Sequence, residues 1–334
     1  VLYWLGRIPY VLGDPQTAVE YAKQSLELAE RLGDEALAAP PVNLMARAYS
    51  LLSEFAKSAP LIERSVEQMR RLGNKTEEAS AAAYAGWVLG NLGACESAFQ
   101  YVERGLHLAR DIQNPFTEAA AIFFHGVASV LRGEWSQAIT DFEEARRIAD
   151  RTGDLFRVYI AKLWQGWACT RAGDPGRGRI LIEESFALSA QIGTKMMHSY
   201  GKANLAAALV AMGELDAVVP LCQEAIRLAE EAGDRFGKGL AHRMLAEALF
   251  CLDPADPQKA ESPILEAIRI QQEIGTKPEL ARSYVSYARL LKAKGEMEKA
   301  KEHLSSAIGM FKEMGMAWDL ARAEQAIREL QTAV

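Results

Sequence analysis

The 334-residue sequence is poor in the residues from which catalytic and metal centres are built. Its five histidines, His107, His125, His198, His242 and His303, are scattered, and none stands in a His-Glu-x-x-His arrangement. Its four cysteines, Cys95, Cys169, Cys222 and Cys251, show no paired spacing, which argues against a disulfide framework and fits a reducing cytosol. No apolar run reaches the roughly eighteen residues of a membrane span. Positive charge is also short: the net charge of −6 argues against nucleic acid or an acidic membrane as the main partner. With 49% apolar and 25% charged residues the chain is not a disordered one. A cytoplasmic protein without metal or cofactor is expected.

What the sequence has in place of these is a period. "LGDPQTAVEYAKQSLELAERLGD", residues 12 to 34, begins and ends on the same tripeptide and encloses one amphipathic helix. One glycine series runs Gly33, Gly73, Gly153, Gly193, Gly233, Gly275 and Gly315, with Gln113 in the vacant slot. A second, offset by half a repeat, runs Gly13, Gly93, Gly133, Gly173, Gly213 and Gly295. There Ser53 fills one gap and "LDPADPQ", 252 to 258, absorbs a two-residue insertion. Each forty-residue unit is therefore two helices and two turns. Inside the helices, Gly6, Ala46, Gly86, Gly126, Gly166, Ala206, Ala246 and Ala288 share one register. Small residues recur twelve and nineteen positions later, with Ile62, Val102, Phe142, Ile182, Ile264 and Leu304 between them. Glycine inside a helix costs about 1 kcal/mol relative to alanine, so its recurrence implies that two helix backbones approach closely there.

This arrangement resembles the tetratricopeptide repeat (TPR) family, best in "AGWVLGNLGACESAFQYVERGL", residues 85 to 106. The resemblance covers about eight repeats. It departs from the family in repeat length, forty against about 34, and in lacking a regular proline after the second helix. It implies an all-α, right-handed α-solenoid of helix-turn-helix repeats over residues 1–315, with 316–334 as a capping helix carrying Arg328 in the small-residue register. Arrays of this length with "LGD" punctuation are similar to the C-terminal regions of bacterial adenylate cyclases that also carry an ATPase module, and to maltose-responsive transcription activators. The apolar opening "VLYWLG" is expected to be a truncated first repeat within a longer protein, since solenoids normally cap their ends with a polar face.

Two glycine-rich stretches could be mistaken for phosphate loops. "GDPGRGR", 173 to 179, and "GDRFGK", 233 to 238, fall on the regular turns, and both are read as turns. No enzymatic constellation appears. Function is expected on the concave surface, which in the resembling family is lined by the first helix of each repeat. Positions two and three before, and one after, the small residue give Tyr84, Trp87, Phe123, Phe124, Trp164 and Trp167, aromatics that an open superhelix cannot bury all at once. The same face then turns basic at Arg171, Arg243, Arg282 and Arg289, suggesting an anionic partner, or else a solvated face with local pairs such as Arg243 with Glu247. Asn43 and Asn204 are isolated, so a chaperone-type carboxylate clamp is not reproduced. The expected role is a non-catalytic scaffold that binds a protein or peptide in its groove, with a small-ligand sensor as the alternative.

Overall fold

The computed structural model describes residues 1–331, and among them the chain is a succession of seventeen α-helices with one short 3-10 turn. In order these are α1 Leu2–Leu12, α2 Pro15–Leu32, α3 Glu35–Leu51, α4 Phe55–Arg71, α5 Lys75–Asn91, α6 Cys95–Asp111, α7 Pro115–Arg132, α8 Trp135–Thr152 and α9 Leu155–Ala172. They continue as α10 Pro175–Ile192, α11 His198–Met212, α12 Val218–Ala232, α13 Arg235–Leu252, α14 Gln258–Ile274, α15 Lys277–Ala293, α16 Met297–Met314 and α17 Ala317–Gln331. Residues 332–334 of the expected 316–334 capping helix lie outside the described residues. Consecutive helices pack as antiparallel hairpins, each stacked on the next. None is long and apolar enough to cross a membrane.

The "LGD" tripeptide works at both ends of a helix. At Gly33 the chain turns left-handed (φ 65°), while the Gly33 and Asp34 N–H groups donate back to Glu30 and Ala29 carbonyls and close α2. Asp34 then caps α3 by accepting from the Leu37 N–H at 3.0 Å. Asp14, Asn74, Asn114, Asp154, Asp174 and Asp234 do the same for their helices, each cap contributing about 1 kcal/mol. Ser53 and Gln113, standing where glycine is expected, adopt the same left-handed backbone (φ 62° and 52°).

The helical small residues mark backbone crossings. A Cβ on Gly166 would sit 2.7 Å from the Gly178 carbonyl oxygen and 2.7 Å from Ile182 Cγ1. A Cβ on Gly105 would meet the Ala83 nitrogen at 2.7 Å. At the same register Ala46, Ala206, Ala246 and Ala288 are buried, as are Ile62, Val102, Phe142, Ile182, Ile264 and Leu304 against them.

These close crossings accompany a tight superhelix. Residues 183 positions apart meet on successive turns: Thr194 Oγ1 donates to the Val11 carbonyl at 2.8 Å, and the Phe236 N–H donates to Ser53 Oγ at 2.7 Å. A full turn thus takes about four and a half repeats. The segment preceding α11 pays for this contact with its first helical turn. Where other repeats start their helix two residues after the glycine, α11 waits until His198, and Thr194 and Lys195 dock on the end of α1. Further on, Gly133 packs against Trp318 of α17 and Gly93 against Lys277 of α15.

Replacing Gly166 by alanine should destabilise the array by about 1–3 kcal/mol, because overpacking against backbone outweighs the gain in helix propensity. Gly309, in α16 with nothing within 4 Å of its added Cβ, should gain about 0.5–1 kcal/mol from the same change. Paired denaturation curves of G166A and G309A check this, and equal shifts of the same sign would refute the crossing argument.

Candidate functional site

The first helix of each repeat faces the superhelix axis, so the aromatics at its groove positions converge. Because the turn is tight, they meet across the axis. Trp87 of α5 packs edge-on against Trp164 of α9 (5.3 Å between ring centroids) and Phe236 of α13 (5.4 Å). Tyr200 of α11 stacks between Trp164 (5.1 Å) and Phe236 (5.8 Å). Tyr84, Phe123, Phe124, Trp164 and Trp167 are buried and Trp87 is half-buried. The expectation that a superhelix cannot bury them all assumed an open groove; here the two sides of one turn touch.

Towards the C-terminal end the axis is sealed by charge. Arg282 donates to Asp319 from Nη2 at 2.9 Å and to Glu279 from Nη1 at 2.5 Å. Arg243 pairs with Glu279 at 2.7 Å and with Glu247 at 3.4 Å, and Arg171 reaches Asp319 at 3.1 Å. Trp318 covers the network, stacked edge-on to Trp135 at 5.1 Å and lying under Arg171 at 4.5 Å. Burial alone would push the Asp319 and Glu279 carboxyls up, but the surrounding guanidinium groups outweigh it and hold both below the ordinary range. Arg171, Arg243 and Arg282, read from sequence as a groove stripe facing an anionic partner, are therefore neutralised inside the chain. The physical reason is twofold. Arg243 and Arg282 find Glu247 and Glu279 on their own or the adjacent repeat, as the local-pair alternative has it for Arg243 with Glu247. Helix α17 then brings Asp319 to Arg282 one repeat on and to Arg171 from across the superhelix. Arg289 stays apart and exposed, at a small recess beside Glu247 and Ser286.

Towards the N-terminal end the axis is open. A cavity of about 640 Å³ is bounded by α1, α3, α5, α7, α9, α11 and α13, with Phe55, Trp87, Trp164, Tyr200 and Phe236 among its lining. Tyr84, Phe123, Phe124, Ala120 and Ile160 continue its wall, and the exposed Phe116 stands at it too. Of the ten residues expected at a groove, it brings together Tyr84, Trp87, Phe123, Phe124 and Trp164. Trp167 lies deeper, against Trp135 and Tyr200.

Sequence reasoning missed the cavity's polar residues. Arg47 of α3 is held over the Tyr84 ring at 4.4 Å, with Nε donating to Asn43 at 2.7 Å and Nη2 to the Ser80 hydroxyl and carbonyl. Arg157 of α9 lies 5.6 Å from the centre of the Phe123 ring. A signal for both existed. Arg47 follows the small residue Ala46 as Trp87 follows Gly86, and Arg157, Ile160 and Trp164 are spaced three and four apart on one helical face. Among the described residues no group of three or more metal-ligating side chains is assembled.

A tetratricopeptide repeat family model matches residues 281–313, the α15–α16 hairpin. The chain is similar to the crystal structure of a Rap protein complexed with competence and sporulation factor (TM-score 0.65, 10% identity, 99% of this chain and 97% of that one). It is also similar to the apo form of the quorum sensor NprR from B. thuringiensis (TM-score 0.58, 15% identity, 93% and 86%). A third likeness is to the Cut9-Hcn1 hetero-tetramer of APC/C (TM-score 0.61, 14% identity, 96% and 55%). The fold is a TPR-like helical solenoid. No curated protein sequence matches the chain significantly.

Removing the Asp319 charge with D319N should cost about 3 kcal/mol, since two guanidinium groups are left facing a neutral partner. The same network predicts an acid limit. Carboxyls held below their ordinary values of 3.8 and 4.5 contribute stability above that range and lose it as pH falls through their depressed folded values. Melting temperatures measured from pH 7 to pH 3 should therefore fall less steeply in D319N than in the parent, and parallel curves would contradict the assignment.

Proposed function

We propose that the chain is a non-catalytic recognition module that takes a short protein segment into its axial cavity, as the regulatory part of a larger cytosolic signalling protein. The observation that carries this reading is the cavity itself: apolar and aromatic walls with a few convergent polar groups. Such composition marks binding sites in general, and aromatic side chains supply large contact area at low entropic cost. Support for a signalling role comes from the similar structures, one complexed with competence and sporulation factor and one named a quorum sensor. A small-molecule ligand is the second reading, favoured by a volume of about 640 Å³, which suits a compact ligand better than a folded partner.

Selection of random peptides on the purified chain, followed by thermal melts, separates the two readings. Under the first, selected peptides raise the melting temperature, a ligand at a hundred times its Kd adding about 2.7 kcal/mol. Cavity variants A120F, which narrows the space, and F116A, at its exposed wall, should weaken them by tenfold or more. Peptides bound equally by both variants would place recognition elsewhere, and stabilisation by a metabolite panel with none by peptides would favour the second reading.

A further inference from the structure

The superhelix treats its internal arginines in two ways. Arg171, Arg243 and Arg282 each have a carboxylate of the chain against them. Arg47 and Arg157, on the cavity wall, have none in ion-pair reach among the described residues. The carboxylates that also line the cavity are turned to other partners, and none forms an ion pair with Arg47 or Arg157, although the Asp154 charge is felt at Arg157. Asp154 accepts from the Arg157 backbone N–H at 2.9 Å, Asp14 accepts from Thr17, and Asp234 accepts from Gly237 and Ser199. Glu231 pairs with Arg227 on the outer surface, and Glu77 makes no ion pair.

The two guanidinium groups differ in how they are held. Arg47 is fixed by Asn43, Ser80 and the Tyr84 ring, leaving Nη1 without a partner. Arg157 donates no side-chain hydrogen bond, and its Nε is sealed from solvent without an acceptor. Trp164 Nε1, another donor in the same wall, is sealed and unpartnered as well. Burial holds the Arg157 guanidinium below its usual range; the nearby Asp154 carboxylate works against that shift, and repulsion from Arg47 adds to it. A fold with acidic residues to spare (net charge −6) has thus placed two arginines among aromatic rings with no carboxylate in direct contact with either guanidinium among the described residues, Asp154 acting on Arg157 only from beyond ion-pair distance. Buried donors without acceptors are costly, and an arginine fork is shaped to receive a carboxylate.

We propose that Arg47 and Arg157 form a carboxylate-recognition site, which binds the carboxylate of an acid whose apolar or aromatic body rests on Tyr84, Phe123 and Phe124. The proposal rests on the reading of the cavity as the binding site and specifies its chemistry. The acid can be a free small molecule or the C-terminus of a peptide ending in an apolar residue. A phosphate group, larger and carrying no apolar body, fits the surrounding rings less well.

The experiment titrates the intact chain with four probes, following tryptophan fluorescence from Trp87 and Trp164. The probes are 3-phenylpropionate and its neutral amide, and acetyl-Ala-Ala-Phe with a free C-terminal carboxylate and with an amidated one. Each acid should bind about tenfold more tightly than its amide, and R47Q and R157Q should each abolish the difference. R157Q should also melt higher than the parent without ligand, since a sealed, unpartnered donor has gone. If the tripeptide acid outbinds 3-phenylpropionate, a peptide terminus is the source of the carboxylate; the reverse order assigns a small acid. Acids and amides that bind equally, yet are displaced in A120F, would overturn the carboxylate site and leave the cavity reading standing. Acid preference retained in both glutamine variants would overturn it too, and binding of none of the four would count against both readings.

Discussion

Close approach of helix backbones at the small-residue positions is the constraint from which the rest of this molecule follows. Gly86, Gly126 and Gly166 lie where a Cβ would collide with Val102, Phe142 and the Gly178 carbonyl, respectively. Helices that pack this tightly at one point of each hairpin tilt by a fixed increment from repeat to repeat, and the increments accumulate. The result is a turn that closes on itself after 183 residues, with Val11 against Thr194 and Ser53 against Phe236. Turn capping by glycine and aspartate starts and stops each helix, but the narrow axis is set by packing within the hairpins.

A narrow axis changes what its lining can be. In a wide solenoid the inner face is a solvated surface, where charged and aromatic side chains need no partner. Here opposite walls are in contact, so every inward side chain needs either a neighbour across the axis or a function. The aromatics of α5, α9, α11 and α13 satisfy one another through edge-on and stacked contacts. The arginines of the C-terminal half are satisfied by Glu279 and Asp319, the latter carried in by α17. Replacing such a network by apolar residues is often neutral or stabilising, so its presence is better understood as a device for registering α17 on the preceding turn than as a source of stability. Towards the N-terminal end the inward guanidinium groups of Arg47 and Arg157 have no carboxylate in ion-pair reach among the described residues, and there the space widens into a cavity.

Much of this was legible from residues. The forty-residue ladder fixes helix number and boundaries, and even its irregular members behave as the period demands, Ser53 and Gln113 taking a backbone conformation that favours glycine. Ser53 also shows why the ladder is broken there, since its hydroxyl joins two superhelical turns through Phe236 and Asp234. What no single repeat encodes is curvature. It is a small angle summed over many hairpins, and only its sum decides whether Trp87 and Trp164 face solvent or each other. The same ignorance made Arg171 look like part of a free basic stripe, because Asp319 is distant in sequence and reaches it only when the turn is tight, whereas the partners of Arg243 and Arg282 lie within one repeat. Arg47 and Arg157 were within reach of the periodicity, since both lie on the helical face that carries the groove aromatics. They stand on helices separated by two whole repeats, so no local cluster of charge marks them as a pair.

Enclosure also determines how this cavity is built. Its wall is assembled from α1 and α3 on one turn and from the start of α11 and α13 on the next. Those elements are joined by only a few polar contacts, among them Thr194 to Val11 and Phe236 to Ser53. A molecule inside therefore touches both turns at once. By linkage, the free energy it gains there resists separation of the turns, and any separation removes part of its site. Met197, a non-glycine residue held at φ 61° between the docked Thr194–Lys195 segment and α11, stands at this joint and lines the cavity. Backbone in that region is costly for a side chain with a Cβ, and here it coincides with the unwound first turn of α11. Strain, the inter-turn clasp and the cavity wall meet in one five-residue stretch, so the closure of the superhelix and the shape of its binding space are set by the same residues.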